Sequence, residues 1–182
     1  MSVSSTGRDR ELIEASLDRI RSELASVVGL EVECEDLKIS RDDEKPHVGD
    51  GVHLSFKLGL LAQGELRQGC LVMGLAPAME AAGLFLGRPE SERSHAVDKA
   101  VLDDEWKEGL LEVASVFGAA VDVALREEIG VDVHACSEGC QGVRAGAAPV
   151  VEIADGNEVL VGRFQWRSEG GLVSDGFLAV DL

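Results

Sequence analysis

The chain has 182 residues and a mass of 19.3 kDa, a length that one domain accommodates without disulfides or metals to hold it. Its 45% hydrophobic and 28% charged residues are globular values and exclude a disordered polymer. The net charge of −17, from 34 acids and 17 bases, repels phosphate backbones and anionic lipid. Nucleic acid and membrane are therefore set aside as partners, and no apolar run is long enough to span a bilayer.

Residues 1–8 are Ser-rich and polar, and are expected to be a flexible start. Over residues 9–28, Leu12, Ile13, Leu17, Ile20, Leu24 and Val28 recur at helical spacing, which predicts an amphipathic helix. Gly29 is its stop. Residues 30–34 alternate as a strand, and 40–51 form a polar loop around Pro46. Residues 52–61 read as a strand, and 69–75 as a short buried strand. Pro77 then opens an Ala-rich helix over 77–87. Residues 88–95 are a connector.

The longest periodic segment follows, from Leu102 to Ile129. Leu102, Trp106, Leu110, Val113, Phe117, Val121 and Ala124 line one helical face. Gly130 ends it, and 131–134 alternate as a strand. A Gly-rich loop and strands at about 149–154, 158–166 and 171–181 complete the chain.

Two segments echo each other. Gly29-Leu30-Glu31-Val32-Glu33 and Gly130-Val131-Asp132-Val133-His134 each follow a long helix, and GCLVMGL at 69–75 parallels GFLAVDL at 176–182. The order suggests pseudo-repeats over about 9–88 and 98–182 within one domain spanning 9–182. Segregated helices and hairpin-spaced strands imply an α+β fold on a largely antiparallel sheet.

With no export pattern, Cys34, Cys70, Cys136 and Cys140 read as reduced thiols of a cytoplasmic protein. His134, Cys136 and Cys140 lie close together, but their spacing matches no zinc module, so no metal is expected.

The face of the long helix opposite its apolar stripe holds the candidate site. Asp104, Glu108, Glu112 and Ser115 stand one turn apart in a row that Ala119 continues and Gly118 flanks. Acids on the outer face of a helix are ordinarily a solvated surface. Glu108 and Glu112, however, repel one another at i, i+4 spacing without an evident local partner, at a cost of ~0.2–0.5 kcal/mol. No nucleophilic triad is evident.

EVASVFGAAVDVALREEIGVDV at 112–133 and GCLVMGLAPAMEAAGLFLG at 69–87 resemble the CheC/CheX/FliY family of chemotaxis phosphatases. The pseudo-duplicated order of elements is similar as well, and CheX is the nearest in size and organisation. The resemblance implies that the long helix docks on a phosphorylated response regulator of the CheY type and promotes hydrolysis of its aspartyl phosphate. It implies no cofactor of the chain's own, because the regulator supplies the Mg²⁺ and a lysine. Glu112 falls on the family's acid position, and Ser115 on the position of an Asn that orients the attacking water. Asp104, Glu108, Gly118 and Ala119 are then docking residues. Glu11 and Glu14 stand in the first-half equivalent. The family proline beyond the strand is Glu138 here, with Pro149 the nearest. The alternative is a non-catalytic module of the same fold, acting as an adaptor, a homodimer or a flagellar-switch-like scaffold.

Overall fold

The computed structural model describes residues 6–99, 102–130, 132–153 and 157–182. Helix α1 spans Gly7–Glu23 and continues as a π-helical turn over Leu24–Val28. Strands β1 (Val32–Asp42), β2 (His53–Ala62) and β3 (Glu65–Gly74) follow, then helices α2 (Leu75–Phe85) and α3 (Glu90–Lys99). Helix α4 runs over Asp104–Glu128 and leads into β4 (Val133–Val143), β5 (Val159–Ser168) and β6 (Val173–Val180). The fold is α+β, as expected. No described helix is long and apolar enough to cross a membrane.

The six strands form one sheet in the order β1-β5-β6-β3-β2-β4, with every pair antiparallel. Exchanging β1, β2 and β3 for β4, β5 and β6 turns this order into its own reverse. The sheet thus has a pseudo-two-fold axis at the β3–β6 pair, where Leu71 stands opposite Leu178. Strands are also traded between halves. β1 pairs with β5 rather than β2, and β4 pairs with β2 rather than β5.

Two glycines make the central pairing close. A Cβ on Gly69 would stand 2.6 Å from the Ala179 carbonyl oxygen, and one on Gly176 would stand 2.6 Å from that of Val72. These are the same contact seen from the two sides of the axis.

The helices cover one face of the sheet. Ile13, Ile20, Val113, Phe117 and Val121 are fully buried there, and Phe56 of β2 meets Phe117 of α4 edge to face at 4.8 Å. A second apolar cluster, with Val48, Cys70, Val72, Val161 and Phe177, fills the other face. Loops 43–52 and 144–152 meet beside it, with the Val48 amide donating to the Ala147 carbonyl at 2.9 Å and the Gly146 amide to that of Gly49 at 3.3 Å.

Several elements differ from the sequence reading. β1 and β4 run well past the short strands expected at 30–34 and 131–134 (Val131 lies outside the described residues). Each pairs with a strand of the other half, and each absorbs an irregularity, at Asp36–Leu37 and at Glu138–Gly139. β3 begins four residues before the expected 69–75 strand. The connector at 88–95 contains most of α3. The strand expected at 149–154 does not form over 149–153, where Val151 is buried in the second cluster without strand pairing; residue 154 lies outside the description. The start is ordered from Thr6. Its hydroxyl accepts from the Asp9 amide at 3.2 Å and the Asp9 carboxylate accepts from the Thr6 amide at 2.8 Å, a capping box. Residues 1–5 lie outside the described residues.

Asp9 is also bound by Arg41 of β1, through Nε at 3.1 Å and Nη2 at 2.5 Å. This pair fastens the first turn of α1 to the sheet, and the guanidinium lowers the Asp9 pKa to about 2. The folded value lies below the unfolded one, so the stabilisation is present above the ordinary carboxylate range and is lost as pH falls through the folded value. It amounts to about 2 kcal/mol. Asp9→Asn is expected to lower unfolding free energy by about that much at neutral pH. In urea titrations its difference from the wild type should shrink between about pH 4 and pH 2; a pH-independent difference would refute this.

Packing of α4 on β4 yields a second expectation. A Cβ on Gly118 would stand 2.6 Å from the Ser137 amide nitrogen, a backbone atom that has little room to yield. Gly→Ala inside a helix ordinarily gains up to about 1 kcal/mol. Here Gly118→Ala should destabilise by about 1–3 kcal/mol through overpacking, measurable as a reduced urea midpoint.

Candidate functional site on the exposed face of helix α4

Helix α4 is capped by Asp103, whose carboxylate accepts from the Trp106 amide at 3.0 Å. The Asp104 carboxylate pairs with Lys107 at 3.0 Å and lies in the first turn, where the helix dipole favours a negative charge. Glu105 pairs with Arg88. Local structure therefore accounts for both of these acids.

Glu108 and Glu112 are different. Both are exposed, and neither has an ion-pair or hydrogen-bond partner among the described residues. The mutual repulsion expected from their spacing is thus left standing in the N-terminal half of the helix. α1 offers Glu11 and Glu14 on its own exposed surface, but Glu14 already accepts from Arg10 at 2.8 Å. The two long helices are topological equivalents with different surface electrostatics.

Ser115 is exposed, and its hydroxyl donates to the Leu111 carbonyl at 3.0 Å. That bond folds the side chain back onto its own helix. The oxygen keeps lone pairs for a further donor, but it projects less far than a carboxamide would. Ala119 is exposed one turn on. Gly118 departs from the expected row, because it is buried against β4. Its lack of a side chain serves the helix–strand contact, not an outer docking surface.

Leu111 is a member of this face that the helical spacing alone does not mark. It is 48% exposed and lies beside the irregularity in β4, near Gly139. In the sequence it is one leucine of a Leu-Leu pair, and only the second apolar position falling off the buried stripe could have marked it. The face thus combines two unpaired carboxylates, a hydroxyl, an alanine and an apolar side chain.

Asp122 holds this face in place from below. Its carboxylate accepts from the Ala135 amide at 2.8 Å and pairs with Arg126 at 2.7 Å, tying α4 to the start of β4. His134 Nδ1 lies 3.5 Å from the same carboxylate.

The thiols belong elsewhere. Burial pushes those of Cys34 and Cys70 up to about 12, which keeps them protonated and unreactive. His134 and Cys136 are alternate residues of β4 and Cys140 lies beyond its irregularity. Among the described residues no group of three such side chains is placed to hold a metal ion.

No family model matches the sequence, and no curated protein matches it. Solved structures do match. FliY from Thermotoga maritima aligns with a TM-score of 0.70 at 14% identity, covering 98% of this chain and 92% of that one. CheX from Vibrio vulnificus aligns at 0.59 and 17% identity, covering 93% and 99%. A chain of the FliM–SpeE complex from H. pylori aligns at 0.64 and 11% identity, covering 98% and 90%. At these identities the likeness is one of fold, and it spans nearly the whole of both chains. The chain therefore has the CheC/CheX/FliY fold, the architecture it shares with these proteins.

Proposed function

We propose that the chain docks on the phosphorylated receiver domain of a CheY-like response regulator through the exposed face of α4. One observation carries this reading. Glu108 and Glu112 stand exposed and one turn apart, neither ion-paired among the described residues because the neighbouring Lys107 is taken by Asp104, on a helix whose other face is anchored in the core. Such a pair is stabilised by a basic group that a partner brings, and the lysine beside a receiver's phospho-aspartate is one. Leu111 gives the contact an apolar centre. The receiver's own Mg²⁺ would remain with the phosphoryl group, and the chain would need no cofactor.

Docking is the primary activity in this reading. Hydrolysis would need a group that holds water in line with the phosphorus, since catalysis on such a substrate is chiefly positioning. Ser115 occupies that place on the helix. Its hydroxyl is short and engaged with the Leu111 carbonyl, which favours binding with slow turnover over efficient hydrolysis.

The test uses purified receiver domains from the host, with and without a beryllofluoride phosphoryl analogue. One receiver is expected to bind the full chain, more tightly when activated. Glu112→Lys and Glu108→Lys should each weaken binding at least about ten-fold without lowering the unfolding midpoint, since each removes the like-charge pair. Absence of binding to every receiver would overturn the proposal. Phosphate release on the same panel separates the catalytic reading. Ser115→Asn should accelerate release and Ser115→Ala should abolish any acceleration, whereas equal rates in both would leave docking alone.

A further inference from the structure

The sheet face away from the helices carries a hollow of about 370 Å³, within the range of small-molecule sites. Val48, Val72 and Phe177 line it and belong to the second apolar cluster. The strand ladders set a row of side chains across it. Lys38 of β1 stands directly opposite Arg163 of β5, and Arg163 stands directly opposite Phe177 of β6. Directly paired residues project from the same face. The Arg163 guanidinium accordingly lies 5.6 Å from the centre of the Phe177 ring.

Two cations facing each other across antiparallel strands destabilise the pairing. The chain accepts this although its acids outnumber its bases two to one. Lys38 has no ion pair among the described residues, and Arg163 has a single long one, 3.9 Å from Asp42. His47 adds a third basic side chain to the wall, with Nδ1 2.9 Å from the Gly146 carbonyl. Two acids also border the hollow. Asp175 accepts from Gln165 at 3.0 Å, and Asp36 sits at the β1 irregularity with a left-handed φ of 54°. Neither is paired with Lys38 or Arg163.

We propose that this hollow binds a small aromatic anion of about mononucleotide size. Its charged group would bridge Lys38 and Arg163, and its ring would pack on Val48, Val72 and Phe177. An anion between the cations removes their repulsion, and the apolar floor beside them selects a flat body over a bare ion. The site lies on the other side of the sheet from α4 and does not rest on the docking proposal.

Isothermal titration of the full chain with four probes tests it. AMP and salicylate are aromatic anions, adenosine is the uncharged counterpart, and inorganic phosphate is the bare anion. At least one aromatic anion should bind ten-fold or more tightly than adenosine and phosphate. AMP alone would point to a nucleotide, salicylate alone to an aryl carboxylate, and either supports the site. Lys38→Gln and Arg163→Gln should each weaken that binding at least ten-fold. Arg167→Gln, which removes a cation of the same strand paired with Glu35 at 2.9 Å, should leave it unchanged. Lys38→Gln should also melt no lower than the wild type, because it removes a like-charge pair. The proposal is overturned if neither aromatic anion binds, if phosphate binds as well as they do, if the two substitutions leave binding intact, or if Lys38→Gln lowers the melting temperature.

Discussion

The close antiparallel pairing of β3 with β6 is the contact on which the rest of the structure depends. Gly69 and Gly176 let the two backbones approach within a distance that a single added methyl on either would violate. This pairing sets the pseudo-two-fold axis, and the axis sets where everything else goes. Because β1 joins β5 and β4 joins β2, neither half can complete its sheet alone. Each long helix delivers its following strand to the far half. Both helices therefore lie on one face, and both loops after the traded strands lie on the other.

The candidate docking face inherits its rigidity from that arrangement. α4 is held from below by Phe117 against Phe56, at its side by the Gly118–Ser137 approach, and near its end by Asp122. A site built on a regular element fastened at three places is better fixed than one on a loop. The same symmetry that makes α1 and α4 equivalents also exposes their difference. Glu14 has Arg10 beside it, whereas Glu108 and Glu112 have no such cation among the described residues. The two long helices thus hold equivalent places in the sheet order but carry different surface charge.

The helix-free face is the less expected part of the molecule. Two loops cover its centre and are joined by backbone hydrogen bonds across the axis. The hollow beside them is lined from five strands and one loop. Nothing about Lys38, Arg163 or Phe177 taken singly draws notice in the sequence, since they are separated by up to 139 positions.

Local pattern determined the three apolar helices α1, α2 and α4 and the fold class. The apolar stripes of α1 and α4 have to be buried on one side, and that requirement is written at 3.6-residue spacing along the chain. The exposed row on α4 was legible for the same reason, since position on a helix follows from spacing alone. Gly118 was the exception. A glycine at the boundary of two faces has no side chain to declare its direction, and only the neighbouring strand shows that it is buried. Strand lengths were also beyond local reading. β1 and β4 extend because distant strands supply their hydrogen-bond partners and because irregularities at Asp36 and Gly139 absorb residues that look like loop. α3 looks like a connector in the sequence because its polar residues carry almost no periodicity. The like-charge pair of Lys38 and Arg163 exists only through register, and register is a property of two strands at once. The sequence by itself determined which surfaces must be hidden. Tertiary structure alone decided which residues stand opposite each other, because that choice is made by contacts between segments far apart in the chain.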